Sequence, residues 1–125
     1  MTNRNFRQII NLLDLRWQRR VPVIHQTETA ECGLACLAMI CGHFGKNIDL
    51  IYLRRKFNLS ARGATLAGIN GIAEQLGMAT RALSLELDEL RVLKTPCILH
   101  WDFSHFVVLV SVKRNRYVLH DPARG

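Results

Sequence analysis

Phe6, Ile10, Leu13 and Trp17 recur at helical spacing, with Ile9 and Leu12 beside them, and predict an amphipathic helix over residues 4–18. Val21-Pro22-Val23 breaks it. Residues 24–31 form a polar loop, and then polarity vanishes: nothing from 34 to 41 is charged. An apolar stretch of that length predicts a helix over 32–43, buried on most sides and ended by the glycines at 42 and 45. Asp49 is placed to cap a third helix that turns Leu50, Leu53 and Phe57 inward and Arg54, Arg55 and Lys56 outward. After a loop at 60–63, Thr65 caps a fourth, built on Leu66, Ile69, Ile72, Ala73 and Leu76 and stopped by Gly77 as a left-handed cap. Gly68 and Gly71 weaken that helix and leave room for close packing or a groove.

Beyond Gly77 the period changes. Residues 78–85 read as a strand, 86–93 as a short helix or turn, and 96–101 as a strand. "HFVVLVSV" at 105–112 is strongly β-prone, 113–116 is a turn, and "YVLHD" at 117–121 is the returning strand. Helices first and an antiparallel sheet second is an α+β order. The 125 residues read as a single domain, without repeats or low-complexity segments.

Composition narrows the class. Apolar residues make up 49%, enough for a core and unlike a disordered chain. No apolar run approaches the roughly 18 residues of a membrane span. The opening "MTNRNFRQII" carries Arg4 and Arg7 and has no secretory pattern. Cys32, Cys36 and Cys41 fall within ten residues on one helix, too close for a disulfide framework, so these and Cys97 are expected as free thiols in a reducing compartment. The net charge is +7, and five arginines precede residue 21 against Asp14 alone. That charge suits nucleic acid, a membrane surface or an acidic partner, and equally a set of solvated faces. No recognition motif and no interleaving of aromatic with basic residues favours nucleic acid.

Candidate chemistry starts at Cys32, on the seam between the polar loop and the apolar helix. Helix N-terminal N–H groups and the macrodipole favour a thiolate there, and Gly33 leaves space for a substrate. A nucleophilic cysteine needs a base. Of the histidines at 25, 43, 100, 105 and 120, His105 opens the most apolar strand, just after Asp102-Phe103-Ser104. Asp121 ends the returning strand and is placed to orient His105. A symmetric turn at 113–116 would nevertheless pair Asp121 with Val108, so a bulge or curled strand end must close the gap. Gln26, six residues before Cys32, can supply an amide to an oxyanion hole together with the Cys32 N–H. Taken singly, these are also a core thiol, an edge histidine, a turn-opening aspartate and a loop glutamine. Together they stand in the order that papain-type sites use. Zinc is disfavoured, because Cys32, Cys36, Cys41 and His43 lack the CxxC spacing. Glu28 and Glu31 read as ordinary acids of the loop and first turn, or as groups that tune the site or bind a cation.

"HQTETAECGLACLAMICGHFG", "PCILHWDFSHFVVLV" and "YVLHDPARG" resemble peptidase family C39, the N-terminal peptidase domains of bacterial ABC transporters that process and export peptides with double-glycine leaders. The resemblance covers the whole chain. It implies a papain-like cysteine peptidase fold. It also implies Cys32 as nucleophile, His105 as base and acid, Asp121 as orienter and Gln26 as oxyanion donor. The implied reaction is cleavage after a Gly-Gly pair in the leader of a bacteriocin precursor. A channel too narrow for a Cβ would select the glycines, and a groove lined from 66 to 76 would take the leader helix. The implied partners are that leader, the fused transmembrane and ATP-binding domains of the same transporter, and the inner-membrane surface on its cytoplasmic side. Nucleic acid is not among them. The peptidase chemistry needs no cofactor, ATP serves the transporter domains, and assistance by calcium is left open. Some relatives lack the cysteine or histidine and only dock the leader, which is the alternative function. Family domains usually run further past the aspartate, so the chain reads as part of a longer transporter, with a final element of the domain missing.

Overall fold

The apolar run at 34–41 becomes the centre of the molecule. In the computed structural model, which describes residues 20–26, 29–57, 64–101 and 105–124, helix α1 spans Cys32–His43, and every residue from Cys32 through Cys41 on it is buried. Leu34, Leu37 and Met39 are among the largest side chains sealed from solvent. Each contributes about 1.5–3 kcal/mol by leaving water. A short 3₁₀ turn, Thr29–Glu31, leads into α1. Its exit is a Schellman motif: Lys46 N–H donates to the Cys41 carbonyl at 2.8 Å and Gly45 N–H to Gly42 at 3.1 Å, with Gly45 at φ 87°. The helix predicted over 4–18 and the loops at 60–63 and 102–104 lie outside the described residues.

Two helices flank α1. Helix α2, Leu50–Lys56, starts where Asp49 accepts the Tyr52 N–H at 2.7 Å. It buries Leu50 and Leu53. Helix α3, Leu66–Gln75, starts where Thr65 Oγ1 accepts the Gly68 N–H at 3.0 Å and ends at Gly77, φ 83°. Ile69, Ile72 and Ala73 face the core, with Leu76 just beyond the helix. Leu66, read as part of that inner face, is instead 40% exposed. The strand read at 78–85 does not form: among the described residues that segment has no ladder partner. It runs instead into a 3₁₀ helix, Leu87–Val92, held by a reciprocal capping box between Glu86 and Glu89.

The described sheet has three antiparallel strands in the order β1-β2-β3: β1 Cys97–Trp101, β2 His105–Lys113 and β3 Arg116–His120. Strand β2 is central and lies against α1. Arg114 and Asn115, at φ 45° and 65°, make the tight β2–β3 turn. The ladder runs regularly from Lys113↔Arg116 to Ser111↔Val118, then slips by one residue to Leu109↔Leu119 and Val108↔His120. Val110 is the extra residue of a β-bulge. The architecture is α+β, and no described helix is long and apolar enough to cross a membrane.

Candidate active site

Cys32 is the first residue of α1 and is 5% exposed. Glu31, at the N-cap position before it, makes no capping bond to the first turn. The first N–H groups of α1 are therefore not occupied by that side chain. The other thiols are held in their neutral form. Burial pushes Cys36 far up, with the charges at Cys32 and Asp121 adding to it. Burial also raises Cys97, and raises Cys41 against the opposing pull of Lys46.

The start of α1 meets the start of β2 through a contact that only glycine allows. A Cβ on Gly33 would lie 2.5 Å from Ile69 Cδ1, 2.9 Å from Ile69 Cγ1 and 3.3 Å from Phe106 Cδ2. Gly33 adjoins Cys32, and Phe106 adjoins His105. Bare backbone at 33 thus lets the neighbours of both residues come into contact, with α3 closing over them. Phe106 is 1% exposed and stacks on His100, with centroids 4.2 Å apart and planes 8° from parallel.

His105 Nε2 donates to Asp121 Oδ1 at 2.8 Å. The proton on Nε2 leaves Nδ1 as the acceptor nitrogen of the neutral ring. The carboxylate also accepts the Ala123 N–H at 2.9 Å. Burial pushes the Asp121 carboxyl up. The Ala123 N–H, the His105 imidazole and its charge, and Arg124 together outweigh it and hold the carboxyl below the ordinary range. The Val110 bulge explains how this pair forms. A regular ladder would set Asp121 opposite Val108, on the face away from His105. The one-residue slip pairs His120 with Val108, so that continuing the same register past the end of β3 would meet Val107, two residues from His105 and on its face.

Gln26 is tied to the same corner: its backbone N–H donates to the Pro122 carbonyl at 3.0 Å, and its side-chain oxygen is buried. Pro122, directly after Asp121, is itself sealed in the core. The structure therefore gathers Gln26, His105 and Asp121 around the 121–122 corner, and packs α1, which Cys32 begins, against β2, which His105 begins.

One feature departs from the sequence reading. Glu31 is not an ordinary first-turn acid: it is 4% exposed, and Arg54 Nε donates to its Oε1. Arg54 accordingly reaches back toward the start of α1 and is not simply on the outer face of α2. The signal was weak, an acid placed against an apolar run. Glu28 lies outside the described residues. Among those residues no three His, Cys, Asp or Glu side chains are grouped to hold a metal ion.

Comparison with known proteins gives three kinds of match. The model of the peptidase C39 family matches residues 20–125. The probable microcin-H47 secretion/processing ATP-binding protein of Escherichia coli is 91% identical over 125 residues, which are all of this chain and 18% of that protein. The lactococcin-G-processing and transport ATP-binding protein of Lactococcus lactis subsp. lactis is 31% identical over 109 residues, 82% of this chain and 16% of that one. The chain thus spans less than a fifth of the length of these curated relatives. Among solved structures, a double glycine motif protease from an AMS/PCAT transporter, crystallised in complex with the leader peptide, superposes with a TM-score of 0.78 at 35% identity. That match covers 86% of this chain and 78% of the other.

Proposed function

The chain belongs to the peptidase C39 family, and from that premise we propose that it is a cysteine endopeptidase acting after a Gly-Gly pair in the leader of a bacteriocin precursor. The Cys32 thiolate attacks the carbonyl of the second glycine. The oxyanion is received by the Cys32 N–H at the start of α1 and by the Gln26 amide. His105, as imidazolium, protonates the leaving amine through Nδ1. It then takes a proton from the water that hydrolyses the thioester. Asp121 holds the ring by Nε2 and stabilises its positive charge. The observation that carries this reading is the 2.8 Å His105–Asp121 hydrogen bond on β2, the strand against which the helix begun by Cys32 packs.

The peptidase step draws on these four side chains. ATP is consumed by fused domains of a longer transporter, of which this chain is the N-terminal peptidase part at the cytoplasmic face of the inner membrane. The cargo is a peptide bacteriocin. The quoted motifs resemble those of the colicin V secretion and processing ATP-binding protein, and the 91% identical relative is named for microcin H47. Of the α3 residues offered as a leader groove, Ile69, Ile72 and Ala73 are buried, as is Leu76 beyond its end, while Leu66 is open to an apolar leader face.

Single-turnover cleavage of a double-glycine leader peptide, wild type against Cys32→Ala, tests the proposal. Wild type cleaves and the variant does not. A wild type that binds the peptide without cutting it would make the chain a docking domain instead.

A further inference from the structure

Glu31 is the buried charged side chain of the described core, and it sits one residue before Cys32. A carboxylate is not taken out of water without compensation. Here Arg54 supplies it from α2, twenty-three residues further along the chain. The arrangement has a chemical consequence for the thiol beside it. An anion at a helix start is favoured by the same N–H groups and the same macrodipole that favour a thiolate there. Two anions one residue apart oppose each other's ionisation. Glu31 makes no capping bond to α1, because its carboxylate is turned to the guanidinium.

We propose that Arg54 is a positioning residue for the nucleophile: it draws the Glu31 carboxylate off the first turn of α1 and balances its charge, leaving the helix start to Cys32. This rests on the reading of Cys32 as nucleophile. Four groups of the described residues lie toward this corner. Cys36 lies one turn on along α1, with Asp121 close enough to act on it. His105 opens β2, Arg54 comes from α2, and α3 presents the apolar Ile69. Among the described residues, Arg54 is thus the cation that pairs with the carboxylate beside the thiol.

The test measures two things on the full 125-residue chain: the rate at which iodoacetamide labels Cys32, resolved by mass spectrometry, and kcat and KM on one double-glycine peptide. Arg54→Met should slow labelling at pH 7 by about fivefold or more, with the deficit closing at pH 9. Its kcat should fall in parallel at unchanged KM. Arg54→Lys, which keeps the cation, should stay within about twofold of wild type. The double variant Glu31→Gln/Arg54→Met has lost the ion pair altogether and should nevertheless recover to within about twofold, because the unbalanced charge is gone too. A double variant as slow as Arg54→Met would overturn the proposal, since lost packing and not charge would then explain the defect. Where Arg54→Met does not fold, the double variant alone decides in the same sense. A Cys32→Ala chain that still cleaves would sink the nucleophile reading, and the labelling comparison would still decide the charge balance.

Discussion

Gly33→Ala is the smallest change that should disable the site. The added methyl would stand 2.5 Å from Ile69 Cδ1, against an ordinary carbon–carbon contact of about 3.5–4.0 Å. Roughly 1 Å of overlap must therefore be relieved. Ile69 Cδ1 is a chain end and can rotate away, but Ile69 Cγ1 at 2.9 Å and Phe106 at 3.3 Å hold the methyl from two sides. Part of the strain has to move α1 relative to β2. Overpacking of this kind costs about 1–3 kcal/mol. For a domain of this size, at about 4 °C per kcal/mol, Tm should fall by roughly 4–12 °C. The displacement separates the Cys32 end of α1 from the His105 end of β2, and a misplacement of about 1 Å is worth on the order of 10²-fold in rate. The assay pairs thermal unfolding by circular dichroism with kcat/KM on a leader peptide, at a temperature where the variant is folded. Trimming the obstruction in Gly33→Ala/Ile69→Ala should return part of both losses. A Gly33→Ala protein with wild-type Tm and wild-type turnover would refute the reasoning, because the α1–β2–α3 contact would then have slack that the distances deny.

Asp121→Ala should lower kcat/KM by roughly 10²-fold or more, while Asp121→Asn, which keeps a hydrogen-bonding group on His105 Nε2, should lose less; a folded Asp121→Ala near wild-type activity would reduce Asp121 to a turn residue. Because the Asp121 carboxyl is held below the ordinary range, its contribution to stability is present at neutral pH and is lost as the pH falls below the ordinary carboxylate value and through the lower folded one. Asp121→Asn should therefore flatten the acid limb of a Tm-against-pH curve, and an unchanged limb would count against the His105–Asp121 bond. Brief iodoacetamide labelling should mark Cys32 well ahead of Cys36, Cys41 and Cys97, whose thiols burial holds neutral; equal labelling would remove Cys32 as the nucleophile.

Some of this was legible in the sequence, for local reasons. The span of α1 follows from its uncharged run. The starts of α2 and α3 follow from Asp49 and Thr65, whose side chains bond within one turn of themselves. Gly77 announces its own cap. The failures are the non-local features. Residues 78–85 have strand-like composition, but a strand exists only where a partner pairs with it, and none does among the described residues. The need for a bulge between His105 and Asp121 was legible, and one is present, but its place in β2 was out of reach for a related reason. Phe106, Val107, Val108 and Leu109 are all buried, so both faces of β2 are apolar and no alternation marks where an extra residue sits. The Glu31–Arg54 bond joins two helices and has no local signature at all.

The hydrogen bond from Gln26 to the Pro122 carbonyl joins positions 96 residues apart, and this has a consequence for the order of events in synthesis. Helix α1 needs only its own neighbours and can form while the chain is still being made. The proposed site needs residues from 26 to 122, and its last part, the carboxylate at 121, leaves the ribosome after everything else in it. A nascent chain that ends at His120 already carries the thiol and the imidazole but has no group to hold the ring. Closing a loop of that length is also slow relative to local helix formation. A chain stopped before residue 121 would hold the proposed nucleophile and base without the carboxylate that orients the ring, so proteolytic competence would wait for the corner that follows the β2–β3 hairpin.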